Sequence, residues 1–383
     1  MFINFWYAAT TSADLGEKPI KVKMLGQTFA LFRDSAGNAH CLSNICTHRG
    51  GSLAGGPVHG DTLACPYHGW RFNGEGSCVR IPSLGPVDGV SKIPARTKVD
   101  SYPVVEKYGL IFCFLGDLPE AERPPIMPIP EFGKDGWRAT VQQPGVWNID
   151  YKRSIENSID PAHNEFVHDT HGFSGANDDY RVHKLDVSET AWGVGFWNKM
   201  YSPPLREAKM RAASGREGDS FIDAGTGHHG PSAVWTHIHP APTSFIHQYL
   251  YETPIDEGHT RLFLVTLRNF LTSAADDDRI MQRNLYVAAQ DRAVLEDVEP
   301  VVTPRANTHE VFMPADGPIA RYREFCRAWQ AKGWRIDMDK VIADRGRVAY
   351  AIPSPARRQS KGWVIDPVPL MPGEGAQALA AAE

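Results

Sequence analysis

The sequence has little cysteine, little charge imbalance and no long apolar run, and each scarcity excludes something. Six cysteines in 383 residues are too few for a disulfide scaffold, so a cysteine in a pattern reads as a metal ligand or a catalytic group. Forty basic residues against 45 acidic ones leave a net charge of −5. That excludes a strongly cationic nucleic-acid or membrane-surface protein. The densest apolar run, Gly109–Gly116 (GLIFCFLG), is far shorter than the roughly 20 residues that span a bilayer, and it reads as a buried strand. The first residues, MFINFWYAAT, lack the basic stretch that opens a secretory signal. A cytoplasmic location is the expectation. No G-x-G-x-x-G fingerprint opens a strand–helix unit, so no dinucleotide or flavin domain is expected.

What is present falls into segments. Residues 1–118 read as all-β, with strand runs such as Thr28–Arg33 and Leu110–Leu115 separated by turn signals such as Asp34–Asn38. Residues 119–130 hold Pro119, Pro124, Pro125, Pro128 and Pro130, a density that no helix or central strand accommodates. They read as a linker. A mixed domain is expected over 131–352. It would have a polar helical stretch at 146–170, strands near Ala233–His239, Ser244–Glu252 and Arg261–Phe270, and a long helix over Asp276–Asp297. A further helix is expected after Asp316-Gly317-Pro318. From Pro353 the chain is rich in Pro, Gly and Ala, which predicts an extended tail over 353–383 and a frayed terminus.

Two clusters carry chemistry. The first is Cys46-Thr47-His48 and, sixteen residues later, Cys65-Pro66-Tyr67-His68. Each short loop offers one thiolate and one imidazole. A Cys2His2 zinc site is one reading, but zinc spacing usually keeps like ligands together. Interleaved ligands suit a Rieske [2Fe–2S] centre, where two cysteines hold one iron and two histidines the other. Arg49-Gly50-Gly51 and Gly69-Trp70 follow the two histidines, and glycines let backbone N–H groups approach the sulfurs. Cys41, Cys78, Cys113 and Cys326 lie outside the pattern and read as buried structural thiols.

The second cluster is Glu156–His168, ENSIDPAHNEFVH. His163 and His168 are five positions apart, which on an ideal helix points them about 140° from each other. Both reach one metal only if the helix is widened or ends between them. A distant carboxylate would complete the set. The helical neighbours of Asp291 are Val287, Ala288, Val294, Leu295 and Val298, so Asp291 lies on an apolar stripe. Coordinating a cation removes the cost of burying it there. Asp297 is the alternative, and Glu296 shares a face with Arg292 and reads as solvated. Asp160 precedes Pro161 and could simply cap a helix. Asn157 could be a plain polar helix residue. His237 and His239 share one strand face; they could line a cavity, but such residues are more often hydrogen-bonded in place.

The first cluster resembles the Rieske signature CxHRG…CxxHGW. The second resembles, residue for residue, the D-x2-H-x4-H motif of the Rieske non-haem iron oxygenases. The likeness runs from Trp6-Tyr7 to the region of Trp363. It implies an α+β chain: an all-β Rieske [2Fe-2S] domain (1–118) followed by a helix-grip, antiparallel-sheet catalytic domain (131–352). It implies a cluster held by Cys46, His48, Cys65 and His68. Gly51 and Tyr67 stand where respiratory Rieske proteins carry an extra cysteine pair, which implies the ferredoxin and oxygenase branch. A mononuclear Fe(II) would be held by His163, His168 and Asp291, with two histidines and one carboxylate on one face and the other positions open. Asp160 and Asn157 are the catalytic candidates beside the iron. Asp160 would bridge His68 of one chain to His163 of the next, which implies a homotrimer with electron transfer between subunits.

The resemblance further implies the terminal oxygenase component, α subunit, of the homotrimeric monooxygenase and O-demethylase branch. Electrons would originate from NAD(P)H and arrive through a separate reductase, a ferredoxin or both. O2 and a small apolar substrate would be the reactants; the Trp and Phe content fits an aromatic one, although such residues more often fill cores. A ring cis-dihydroxylating dioxygenase would share the same ligands. A Rieske electron-transfer protein with an inert ligand-binding domain, and a structural zinc protein, are the rivals of other classes.

Overall fold

The computed structural model describes residues 1–85, 92–182, 184–216 and 218–374. β1 (Phe5–Thr11) opens the chain, and β2 (Ile20–Met24), β3 (Gln27–Arg33) and β4 (Ala39–Ser43) follow as an antiparallel meander. The Asp34 carboxylate sets the β3–β4 turn by accepting from the N–H groups of Ala36 and Asn38, the local bonding that makes Asp a turn residue. β5 (Val58–His59), β6 (Thr62–Ala64), β7 (Arg71–Asn73) and β8 (Cys78–Arg80) form a second four-stranded sheet. β9 (Ser101–Tyr102) pairs with β4. β10 (Val104–Lys107) and β11 (Leu110–Leu115) close against β1 in the order β1-β11-β10. All six residues of β11 are buried, as the unbroken apolar run requires.

The second part of the chain is built on a seven-stranded antiparallel sheet. Its strands are β12 (Arg138–Trp147), β13 (Val187–Thr190), β14 (Gly193–Ser202), β15 (Ser220–His229), β16 (Ala233–Ala241), β17 (Ser244–Asp256) and β18 (His259–Arg268). The order is β12-β18-β17-β16-β15-β14-β13. Helices α1 (Tyr151–Ser158), α2 (Asn164–Val167), α3 (Ala208–Ser214) and α4 (Asp277–Leu295) accompany it. α1 lies on β15–β17 and α4 on β12. Trp147, Ile149, Leu262 and Leu295 form one core cluster between them. This is the mixed helix-and-sheet architecture expected from the sequence.

Two stretches differ from the sequence expectation. Residues 146–170 are not one helix. β12 carries through Trp147, Asp150 caps α1 by accepting from Lys152 N, and α1 stops at Ser158. Pro161 follows, and the residue before a proline is driven away from helical geometry. The one-turn α2 begins only at Asn164. The chain also divides differently at its end, into a compact unit of Met1–Ile126 with the chain from Ala328 onward, and a second unit of Met127–Arg327. Trp329 packs edge-on against Phe2 and Phe5 within the first unit. The buried Ile336, Met338 and Ile352 belong to that unit too. The expected tail from 353 therefore packs, with a short helix at Ala356–Gln359, as far as Glu374. The expected frayed terminus lies outside the described residues.

Candidate functional site

The first unit brings the four cluster candidates onto two matching loops. In each, a glycine four residues after the cysteine donates its N–H to the cysteine carbonyl: Gly50 to Cys46 at 2.8 Å, and Gly69 to Cys65 at 2.9 Å. Both glycines have positive φ, 72° and 70°, a conformation that side chains with a Cβ resist. Cys46 and Cys65 are buried, and the His48 and His68 rings lie 4.3 Å apart. His48 stacks flat on Trp70 at 4.4 Å, and its buried Nδ1 has no hydrogen-bond partner. Burial pushes the Cys46 thiol up to about 12, and the Cys65 thiol beside it adds to that. A buried imidazole nitrogen without a partner is costly, and a metal beside the two thiols would satisfy it. A Cβ on Gly51 would meet Cys65 Sγ at 2.9 Å, so the loop leaves no room for a side chain against the sulfur. The donor set fits a [2Fe–2S] cluster. All six cysteines are free thiols.

The second unit brings His163, His168 and Asp291 together. One ligand atom from each lies within 4.8 Å of the others, and among the described residues this is the sole such group of three. The helix does end between the histidines: α2 occupies only Asn164–Val167, with His163 helical just before it and His168 extended just after. That break lets both rings reach Asp291. His163 Nδ1 lies 2.7 Å from the Asp160 carbonyl, and His168 Nδ1 lies 3.1 Å from Gln290 Oε1. Each Nδ1 is thereby a donor, which leaves Nε2 as the lone-pair nitrogen. Both Nε2 atoms face Asp291 Oδ1, at 3.6 Å and 3.2 Å. Burial lowers the His163 pKa, while at His168 the Asp291 carboxylate outweighs burial and raises it.

The surrounding shell fixes this geometry. Asn157 Nδ2 donates to Asp291 Oδ1 at 3.1 Å. Gln290 Nε2 donates to Asp169, which also accepts from Tyr286. His171 stacks on His168 and bonds Asn164. Asp160 Oδ1 accepts from Ala162 N, and Oδ2 lies 3.9 Å from His163 Nδ1. Burial raises the Asp160 pKa. Gln290 is the residue that the sequence did not single out. Its neighbour Asp291 was legible, but one step along a helix turns 100°, so nothing in the pattern aims Gln290 at His168.

Other candidates lie elsewhere. Asp297 is exposed, and Glu296 accepts from Arg292 and from Asn148 N. Both carboxylate oxygens of Glu156 accept from Arg323, one from Nε and one from Nη2. Thr236 and Ile238 line the cavity. His237 and His239 alternate with them on the opposite face, where they bond Tyr249 and His247.

Residues 5–103 match the model of the Rieske [2Fe-2S] domain, and residues 147–332 match that of the vanillate O-demethylase oxygenase C-terminal domain. The chain belongs to the Rieske non-haem iron oxygenases. Toluene-4-sulfonate monooxygenase system iron-sulfur subunit TsaM1 of Comamonas testosteroni is 28% identical over 84% of this chain and 95% of its own length. The oxygenase component of dicamba O-demethylase from Stenotrophomonas maltophilia is 37% identical over 43% of this chain and 47% of its own. Cholesterol 7-desaturase nvd 1 of Ciona intestinalis is 39% identical over 52% of this chain, but only 39% of that protein is spanned. Dicamba monooxygenase bound to 3,6-dichlorosalicylic acid is 25% identical with a TM-score of 0.71, over 87% of this chain and 98% of that one. The structure of Pseudomonas putida CBB5 NdmA with caffeine gives 24% and 0.72, over 86% and 91%; that likeness concerns the fold. In this family the cofactors are a [2Fe–2S] cluster and a mononuclear iron, and the two donor sets described above have the chemistry to fit them.

A cavity of about 200 Å³ adjoins the triad, lined by His163, His168 and Asp291 and by apolar side chains such as Phe196, Leu205, Ile238 and Leu250. It lies within the second unit, over the helix-bearing face of the sheet. Concave, mostly apolar and furnished with a few convergent polar groups, it has the character of a small-molecule site. Among the described residues, no helix is long and apolar enough to cross a membrane.

Proposed function

We propose that the chain is a terminal oxygenase that hydroxylates, or oxidatively demethylates, an apolar small molecule in the cavity beside His163, His168 and Asp291. The observation that carries this reading is the convergence of two Nε2 atoms and Asp291 Oδ1 on the wall of that cavity. A 2-His-1-carboxylate iron, when bound, supplies O2 chemistry at its open positions. The chain's own residues do the rest. The Asp160 carbonyl and Gln290 hold the two imidazoles in the tautomer that ligation needs, Asn157 holds the carboxylate, and the apolar wall excludes water from the reacting carbon. Where that carbon bears oxygen or nitrogen, the hydroxylated product collapses and a methyl group leaves as formaldehyde.

Two electrons are needed for each O2, and no dinucleotide motif is visible in the sequence, so a separate reductase, a ferredoxin or both would deliver them. His68 is exposed on the surface of its unit, beside the exposed Tyr67. That exposure suits delivery to a neighbouring chain through Asp160 and His163, and hence a homotrimer in the cytoplasm. Relatives named as O-demethylases or monooxygenases support the demethylating or hydroxylating reading, while two named as dioxygenases make ring dihydroxylation the second reading.

Dithionite-reduced holoenzyme, exposed to O2 with a panel of aryl methyl ethers, tests this. Formaldehyde and a phenol are the expected products, and none should form with His163→Ala. A cis-diol would point to the dioxygenase instead. Asp160→Ala should keep both metal centres and lose coupled turnover; normal turnover would remove the inter-subunit route.

A further inference from the structure

The cavity contains a cation that the oxygenase chemistry does not use. Arg283 lies on α4 with Asn284, Val287, Ala288 and Asp291, the residues that this helix contributes to the cavity wall. Among the described residues no side chain or carbonyl accepts a hydrogen bond from its guanidinium, and no carboxylate pairs with it. The acid nearest in charge is Glu207, and Glu207 is already bound by Arg279. Asp169 is taken by Gln290, Tyr286 and Arg206, and the carboxylates that line the cavity, Asp160 and Asp291, face His163 and His168 instead. The cavity's other arginine, Arg216, is tied to Ser220 and to the Ser202 carbonyl. Of the two arginines that line the cavity, Arg283 is the one whose donors are free among the described residues. Burial pulls its pKa down, the mark of a charge stripped of water without a partner to replace it.

A guanidinium held this way is costly on its own and is matched by an anion that offers two oxygens to its fork of N–H donors. We infer that Arg283 binds the carboxylate or sulfonate of an otherwise apolar substrate. This rests on the reading of the cavity as the oxygenase's substrate site, and it deepens that reading by naming the substrate class. Arg283 and Asp291 are eight residues apart on α4, a rise of about 12 Å. The Arg283 charge also acts on His168 and His171, so an anion held there would anchor the substrate on the α4 side of the cavity. The span from that anion to the triad would then help select which carbon is attacked.

Binding to the holoenzyme, measured by calorimetry without turnover, tests this with two probes of matched shape: 4-methoxybenzoate and neutral 4-methoxybenzamide. The acid should bind the wild type at least tenfold tighter than the amide. Arg283→Gln should erase that preference while leaving amide affinity unchanged, and Arg283→Lys should recover part of it. Unchanged amide affinity also verifies that the variant's cavity is intact. The inference is overturned if the acid binds no tighter than the amide, including the case where neither binds, or if Arg283→Gln keeps the preference. Oxygen uptake is scored separately. Uptake stimulated by the neutral amide, with no preference for the acid, would leave the oxygenase and remove the anion site. A preference lost in Arg283→Gln, with no uptake for either probe, would leave the anion site and remove the oxygenase.

Discussion

Asn157 Nδ2 donates to Asp291 Oδ1 at 3.1 Å, joining α1 to α4 across 134 residues of sequence. The bond aims one carboxylate oxygen at the two imidazoles and removes a conformational choice that Asp291 would otherwise have. Hydrogen bonds behind metal ligands typically account for about 10–100-fold in metal affinity. Asn157→Ala should weaken Fe(II) binding at the triad by that order while the visible spectrum of the [2Fe–2S] centre stays unchanged. An iron titration of cluster-loaded protein measures it. Equal affinity in the variant would mean that the bond does not position the ligand.

Gln290 performs the same service for His168. Its Oε1 accepts from Nδ1, and its own amide is anchored on Asp169. Gln290→Leu should reduce iron affinity by a comparable about 10–100-fold. Gln290→Glu keeps an acceptor and should retain the iron. If both variants bind iron alike, the tautomer argument is wrong.

Gly51 has a different job from its neighbour Gly50. A Cβ on Gly51 would collide with Cys65 Sγ at 2.9 Å, whereas one on Gly50 meets open space but a positive φ of 72°. Gly51→Ala should therefore lose the cluster, read as loss of visible absorbance and of acid-labile sulfide. Gly50→Ala should keep it and cost about 1–2 kcal/mol of stability. The reverse ranking would contradict the loop geometry.

Glu252 is fully buried on β17, and burial pushes its carboxyl up to about 8, with the Asp291 charge adding to this and the Ser154 hydroxyl opposing it. In the unfolded chain the same carboxyl ionises near its ordinary value of 4.5. Between those two values the folded state holds a proton that the unfolded state has released, so stability falls as pH rises. The contribution is fully present below about pH 4.5 and lost by about pH 8. Glu252→Gln keeps a neutral group at every pH. Its melting temperature should exceed that of the wild type by a margin that grows from pH 5 to pH 8, measured in parallel thermal scans. A constant margin would place the Glu252 proton elsewhere.

Legibility in the sequence followed the range of the interaction. The four cluster candidates sit within two short loops whose turns are set by their own glycines, so their grouping is legible from spacing alone. The break between His163 and His168 was foreseeable because an unbroken helix could not point both at one metal. The apolar stripe around Asp291 was half right: Leu295 is buried, but Val294 is 48% exposed. The stripe still led to the carboxylate that meets His163 and His168, because Leu295, packed on Trp147 and Leu262, fixes the rotation of α4. What could not be read was long-range. The Gln290–His168 bond, the unpaired Arg283 and the return of the chain after Ala328 to the first unit depend on side chains a hundred or more positions apart, or on a helix rotation that only packing sets.

The account rests on two separate iron sites in one chain, and metal stoichiometry tests that most directly. Anaerobically purified protein should hold about three irons and about two acid-labile sulfides per chain, with a reducible Rieske signal by EPR. The double variant His163→Ala/His168→Ala should fall to about two irons with sulfide and signal intact. Zinc without sulfide in the wild type, or loss of the Rieske signal together with the third iron, would contradict it.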